Sequence, residues 1–257
     1  MLMEQRGKAG GFCDPAKEGK LRCPLIVRQT SEDVVTNAIA STIQVLNPRW
    51  WLPDLMNRAL GTDRFQRQVF RKLRIEAWQK QPRFPRHLIK WDEGQTEVDI
   101  VISWENPAWT VFIEMKYGSN LSATTTHNDG QNGYPADQLI RNARVGLYQC
   151  GWYDEPKLFD EPTREFALIL LAPSSNHPLV AQYRDQTKLL EAIPFSERIR
   201  QLPTSPFIGE LSYGGFYRML NEQRRWFSRP ERLLLDLLSD YLQFKNGQLR
   251  ERNGQGH

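Results

Sequence analysis

The chain has 257 residues, 40% apolar and 25% charged, a balance that suits one large globular domain or two small ones and excludes fibrous and low-complexity classes. No apolar run approaches the roughly 20 residues needed to cross a bilayer, and the charged N-terminus lacks the apolar core of a secretory signal. The formal net charge of +4 says little about partners until its distribution along the chain is read.

Residues 1–24 are rich in glycine and lysine and poor in apolar side chains, which predicts a disordered basic arm. Ser31-Glu32-Asp33 then opens a helix, with a serine N-cap and acids in the first turn. Val35, Ile39, Ile43 and Leu46 recur at helical spacing as its buried stripe, headed by Glu32, while Asp33, Asn37 and Gln44 point outward. Pro48 ends that helix, and Trp50–Leu60 reads as a second one closed by Gly61. Residues 69–80 alternate as a strand with Phe70, Leu73, Ile75 and Trp78 inward, although 63–74 also reads as a basic helix. Strands at 96–104 and 109–117 flank an Asn-Pro turn, and a polar loop runs from Gly118 to Tyr134. Pro135 starts a helix (PADQLIRNARVGLY), and FALILLAP at 166–173 is a fully buried strand. The remainder reads as helices at 178–191, 196–202, 212–223 and 231–243, with a disordered tail over 246–257. This order predicts an α/β fold: a small mixed sheet flanked by helices, with a C-terminal helical extension, in a single domain over 25–245.

The charges are segregated. Residues 64–90 carry nine Lys or Arg against the single acid Glu76, whereas residues 91–115 carry six acids and no Lys or Arg. A second basic group stands at Arg218, Arg224, Arg225, Arg229 and Arg232. An acidic centre with basic flanks suits a cation in the middle and a polyanion around it; taken singly, each arginine is an ordinary solvated side chain. Three cysteines (Cys13, Cys23, Cys150) without C-x-x-C spacing point to reduced thiols in a cytoplasm. His87, His127, His177 and His257 have no zinc spacing, and no glycine-rich phosphate loop occurs, so ATP- or NAD-dependent chemistry has no support. His127, alone in the long loop, reads as solvated, and the tryptophans (Trp50, Trp51, Trp104, Trp109, Trp226) as core or interface.

The segment TEVDIVISWENPAWTVFIEMK carries the chemistry. Glu-x-Lys occurs three times, at Glu18–Lys20, Glu155–Lys157 and Glu114–Lys116. The first lies in the glycine-rich arm and the second spans Pro156; only the third ends an apolar strand with an acidic strand just upstream. A strand period of two puts Glu114 and Lys116 on one face, and Asp99 on the neighbouring strand completes the set.

These residues resemble the PD-(D/E)XK, or restriction-endonuclease-like, nuclease superfamily, and in particular its compact bacterial members found near phage-defence genes. The resemblance rests on Ser31-Glu32-Asp33, Glu97-Val98-Asp99-Ile100, Phe112-Ile113-Glu114-Met115-Lys116, Gln138-Leu139-Ile140-Arg141 and the leucine-rich segment 231–242, and it covers about residues 30–245. Val98 stands where some members have proline. It implies a restriction-endonuclease-like core, a cytoplasmic nuclease acting on nucleic acid (DNA in the first instance), and specificity supplied by a dimer mate or a partner protein.

Phosphodiester hydrolysis needs an activated water and neutralised phosphate charge, and Mg²⁺ or Mn²⁺ meets both needs with one or two protein carboxylates. Asp99 and Glu114 would hold the ion with the Met115 carbonyl as a third oxygen, and Lys116 would orient the water or stabilise developing charge. The plain alternative for these residues is two exposed acids and a lysine guarding a sheet edge. Glu32 is either a helix N-terminal acid or, by position and resemblance, a further metal or metal-water ligand. The resemblance also places Gln138 at the active site. Glu97 shares the strand face of Asp99 and is a weaker candidate. The alternative function is a non-catalytic nucleic-acid-binding or regulatory module of a larger defence or repair complex.

Overall fold

The computed structural model describes residues 32–89, 94–117, 137–155 and 162–254, with side chains up to 245. The arm, Ser31, the loop with His127, and Pro135 lie outside the described residues. Helix α1 (Glu32–Val45) buries Val35, Ile39 and Ile43, and Leu46 follows them into the core. Asn47 accepts a hydrogen bond from Arg49 N at 3.1 Å and caps α2 (Pro48–Leu60), so Pro48 both stops one helix and opens the next. Gly61 closes α2 with a left-handed φ of 71°.

Five strands form one mixed sheet in chain order: β1 (Arg71–Lys80), β2 (Glu97–Glu105), β3 (Trp109–Met115), β4 (Glu165–Ala172) and β5 (Ile208–Ser212). The β1–β2 and β2–β3 pairs are antiparallel, and the β3–β4 and β4–β5 pairs are parallel. α3 (Gln138–Gln149) supplies the crossover from β3 to β4. α4 (Pro178–Tyr183) and α5 (Gln186–Ala192) precede β5, while α6 (Tyr213–Glu222) and α7 (Arg229–Gly254) follow it. The central strands β3 and β4 are buried on both faces, as their apolar runs require.

Alternation sorts the strand residues between two apolar layers. Ile100, Ile102, Val111, Ile113 and Ile169 pack with α1, α2, α6 and α7, whereas Phe112, Leu168 and Leu170 pack beneath α3, α4 and α5. The chain is therefore an α/β domain in which helices cover a five-stranded mixed sheet, as its sequence predicts. No helix among the described residues is long and apolar enough to cross a membrane.

The differences from the sequence periodicity have physical causes. Strand β5, Ile-Gly-Glu-Leu-Ser, falls between the helices expected at 196–202 and 212–223, where no strand was expected; its register comes from β4 beside it. The helix expected over 178–191 breaks at Arg184–Asp185, where Asp185 accepts from Thr187 N and Lys188 N and caps a new helix. Only a single 3-10 turn, Ser196–Arg198, occupies 196–202. α3 begins after the Asp137 N-cap, which accepts from Ile140 N at 2.9 Å. A bulge in β1 changes the phase, so Ala77 joins Leu73 and Ile75 against the core in place of Trp78. Asn37, expected outward, is buried. α7 continues to Gly254, past the Gly247 where a tail was expected.

Gly209 marks a close approach of sheet and helix. A Cβ there would stand 2.1 Å from the Ala59 carbonyl oxygen at the end of α2, which is backbone and cannot swing aside. Gly209→Ala is expected to cost about 3 kcal/mol, read as a lowered midpoint in urea unfolding with an unchanged slope. An unaltered midpoint would mean that α2 is free to shift.

Candidate active site

The β2–β3 backbone pairing ends at Ile100–Ile113, and the next residue on each strand is a carboxylate. Asp99 takes over where the ladder stops: its Oδ2 accepts a hydrogen bond from Met115 N at 2.8 Å. Glu114 is wholly buried, and its Oε2 accepts from Asn142 Nδ2 at 2.7 Å. Its Oε1 lies 2.7 Å from Lys116 Nζ, an ion pair outside hydrogen-bond alignment, and is otherwise a buried acceptor without a hydrogen bond.

Lys116 lies just past β3, where its backbone N–H still donates to Leu171 O at 2.8 Å and holds the extended course. The side chain therefore stays on the Glu114 face, and its Nζ also reaches Glu32 Oε1 at 3.0 Å. Glu32 arrives from the first turn of α1, and its Oε2 accepts from Tyr117 N at 3.0 Å. One carboxylate oxygen from each of Glu32, Asp99 and Glu114 falls within 4.8 Å of the others. Three acids from three separate elements thus meet around one lysine.

Burial, then the nearby Glu114 charge, pushes the Asp99 carboxyl well above its ordinary range. Burial also raises Glu114, against the opposing pull of Lys116 and Asn142. Burial works against the charge on Lys116, but Glu114 and Glu32 outweigh it, so the ammonium is held more firmly protonated than usual. Asp99 and Glu114, buried side by side with raised proton affinity, are short of positive charge. The donor set is entirely hard oxygen, so it fits Mg²⁺ or Mn²⁺ and not a soft metal.

Asp99, Glu114, Lys116 and Glu32, all expected at the site, come together. Met115 contributes its N–H to Asp99 and buries its side chain in the α1 layer. Gln138 is the first residue of α3, half-buried, and hydrogen-bonds to no described member of the cluster. Glu97 starts β2 opposite Lys80 in the register.

Two site residues escape a sequence-based search. Asn142 lies one helical turn after Gln138 on the same side of α3, a spacing that hinted at it, but an asparagine in a helix is ordinarily solvated. Tyr213, at the start of α6, donates its buried hydroxyl to the Lys116 carbonyl at 2.8 Å. Its position depends on the unexpected β5. Burial and the charges of Glu32 and Asp99 raise its phenol well above the ordinary range, so it remains a donor.

Asn142→Ala would leave Glu114 Oε2 buried without its donor, at a cost of about 1–3 kcal/mol. The expected result is a lower Tm together with weaker divalent-ion binding, and Asn142→Gln should not restore either, because the longer side chain overfills the buried site. Calorimetry with and without Mn²⁺ checks both.

Comparison with protein-family models, with curated proteins and with solved structures finds no match for the chain.

Proposed function

We propose that the chain is a divalent-metal-dependent nuclease of the PD-(D/E)XK class, with a restriction-endonuclease-like core, that hydrolyses phosphodiester bonds of DNA. One observation carries this reading: Glu32, Asp99 and Glu114 place carboxylate oxygens within 4.8 Å of one another, with Lys116 bonded among them. A sheet edge guarded by charge would leave such groups in water, whereas Glu114 and Lys116 are buried.

Glu32, Asp99 and Glu114 would hold Mg²⁺ or Mn²⁺, which neutralises phosphate charge and acidifies a coordinated water. Asn142 and Met115 N–H fix the two strand carboxylates, so their free oxygens are set before substrate arrives. Lys116 stays protonated beside two acids, which makes it a donor to the attacking water or to phosphate oxygen rather than a general base. Tyr213 anchors the backbone carbonyl of Lys116 and so positions that side chain. Arg67, Arg71, Lys72, Arg74 and Lys80, on and just before edge strand β1, supply positive charge for a polyanion. Target specificity would come from a second copy or from a partner protein, and the resemblance makes phage defence the setting.

The test is incubation with supercoiled plasmid, single-stranded DNA and RNA in Mg²⁺, Mn²⁺ or EDTA. Cleavage of DNA with metal, abolished by EDTA, is the expected result. Folded protein inert on all three substrates would favour a non-catalytic binding module instead.

A further inference from the structure

On the same face of the sheet as Asp99 and Glu114, a cleft of about 400 Å³ lies over β1, β2 and β3. Val101 and Phe112 form its floor, two residues along each strand from the two carboxylates, about 7 Å at strand rise. Lys72, Arg74, Gln149 and Arg164 stand around it.

Arg164 is already committed. Its guanidinium donates to Thr110 Oγ1, Glu105 Oε1 and the carbonyls of Trp104 and Trp109, at 2.8–3.2 Å. That pairing also occupies Glu105, the only acid among the described residues that line the cleft. Lys72 and Arg74 make no ion pair or hydrogen bond among the described residues, yet both point their charge at this region: after Arg164, their fields help hold Glu105 below its ordinary range.

Lys72 is placed there by an irregular backbone. Arg71 pairs with Glu105 and Arg74 with Ser103, so β1 carries one more residue than β2 across this step. Lys72 sits in the bulge with φ of 51°, a left-handed conformation that a lysine rarely adopts. Bulges re-aim side chains, and strain of this kind gathers at binding sites. The Gln149 amide nitrogen, at the end of α3, is buried without a hydrogen bond among the described residues. Thr110 accepts from Arg164, which leaves its own hydroxyl proton to give. Two exposed cations without a partner among the described residues, a buried amide and a hydroxyl therefore converge on the cleft as donors. Inorganic phosphate would satisfy the charge but leave most of the volume empty, whereas the volume falls in the range of small-molecule sites.

We infer that this cleft binds a nucleoside phosphate, with Lys72, Arg74 and Gln149 holding the phosphate. The site stands whether or not the carboxylate cluster cleaves; only its use by the end nucleotide of a bound strand rests on the nuclease reading. Titration calorimetry of the full chain in EDTA, which keeps metal out of the cluster, tests it with adenosine monophosphate, inorganic phosphate and a 5′-phosphorylated tetranucleotide. One nucleotide is expected to bind per chain, at least about tenfold more tightly than phosphate, with a further loss of about tenfold in Arg74→Ala and in Lys72→Gly. Glycine accepts the left-handed backbone, so Lys72→Gly should keep or raise the Tm while it loses the ligand. Asp99→Asn should bind the nucleotide as the wild type does. A tighter tetranucleotide would assign the cleft to a strand end, and a tighter mononucleotide to a free nucleotide; either supports the site. No saturable binding, or wild-type affinity in both cleft variants, overturns it. Wild-type protein that binds the nucleotide but cleaves no DNA with Mg²⁺ or Mn²⁺ would count against the nuclease reading alone.

Discussion

Lys116→Ala is expected to lower DNA cleavage by about 10³-fold, the scale on which loss of one preorganised donor acts. The effect has two sources. The variant removes a protonated donor from the reaction, and it leaves Glu114 buried without the cation 2.7 Å away. Breaking a buried pair by removing one partner costs about 3–5 kcal/mol, so part of the activity loss could come from unfolding. Circular dichroism separates the two. Lys116→Gln provides a second check, because it keeps a neutral donor of similar length while losing the charge. Both variants folded and inactive is the expected result. Full activity in a folded Lys116→Ala chain would remove this residue from the mechanism.

The second large effect concerns stability. The Asp99 carboxyl binds its proton more tightly in the folded chain than in the unfolded one, because it is buried beside Glu114. The folded state then holds more protons than the unfolded state, so stability falls as pH rises from about 4 through the raised value. The penalty is absent below the unfolded value and complete above the folded one. Asp99→Asn removes it and keeps the oxygen that accepts from Met115 N. In EDTA, the variant should therefore melt higher than the wild type at neutral pH, by roughly 2–4 °C for each 1 kcal/mol relieved. The gap should close as the pH falls to about 4. With excess Mn²⁺ the order reverses, since only the wild type gains stability from binding the ion. A variant that melts lower than the wild type in EDTA at neutral pH would show that Asp99 is not held under electrostatic stress.

Much of this site was legible because it is local. Asp99, Glu114 and Lys116 lie on a strand pair joined by a three-residue turn, where period-two alternation fixes which side chains share a face. Glu32 was legible as the head of the α1 stripe. What escaped depends on distant chain. β5 is five residues long and contains glycine and glutamate, so nothing in its own composition marks a strand; β4 supplies the register. Tyr213 follows from that strand, and its bond to Lys116 spans 97 residues of sequence. Asn37 looks solvated on α1 alone, and it is buried only in the context of the packed domain. The break between α4 and α5 is a different kind of miss, since Asp185 is an ordinary N-cap residue inside a pattern that still counts as helical. The bulge at Lys72 likewise leaves no mark in an alternating sequence, yet it shifts Trp78 out of the core phase and turns a lysine towards the cleft.

The central claim is that Glu32, Asp99 and Glu114 form a divalent-cation site, and the most direct measurement is Mn²⁺ binding followed by electron paramagnetic resonance. Wild-type protein should remove free Mn²⁺ from the signal saturably, Mg²⁺ should compete, and Glu114→Gln should lose the site while remaining folded. Unsaturable weak binding in the wild type, or saturable binding undiminished in a folded Glu114→Gln chain, would contradict it.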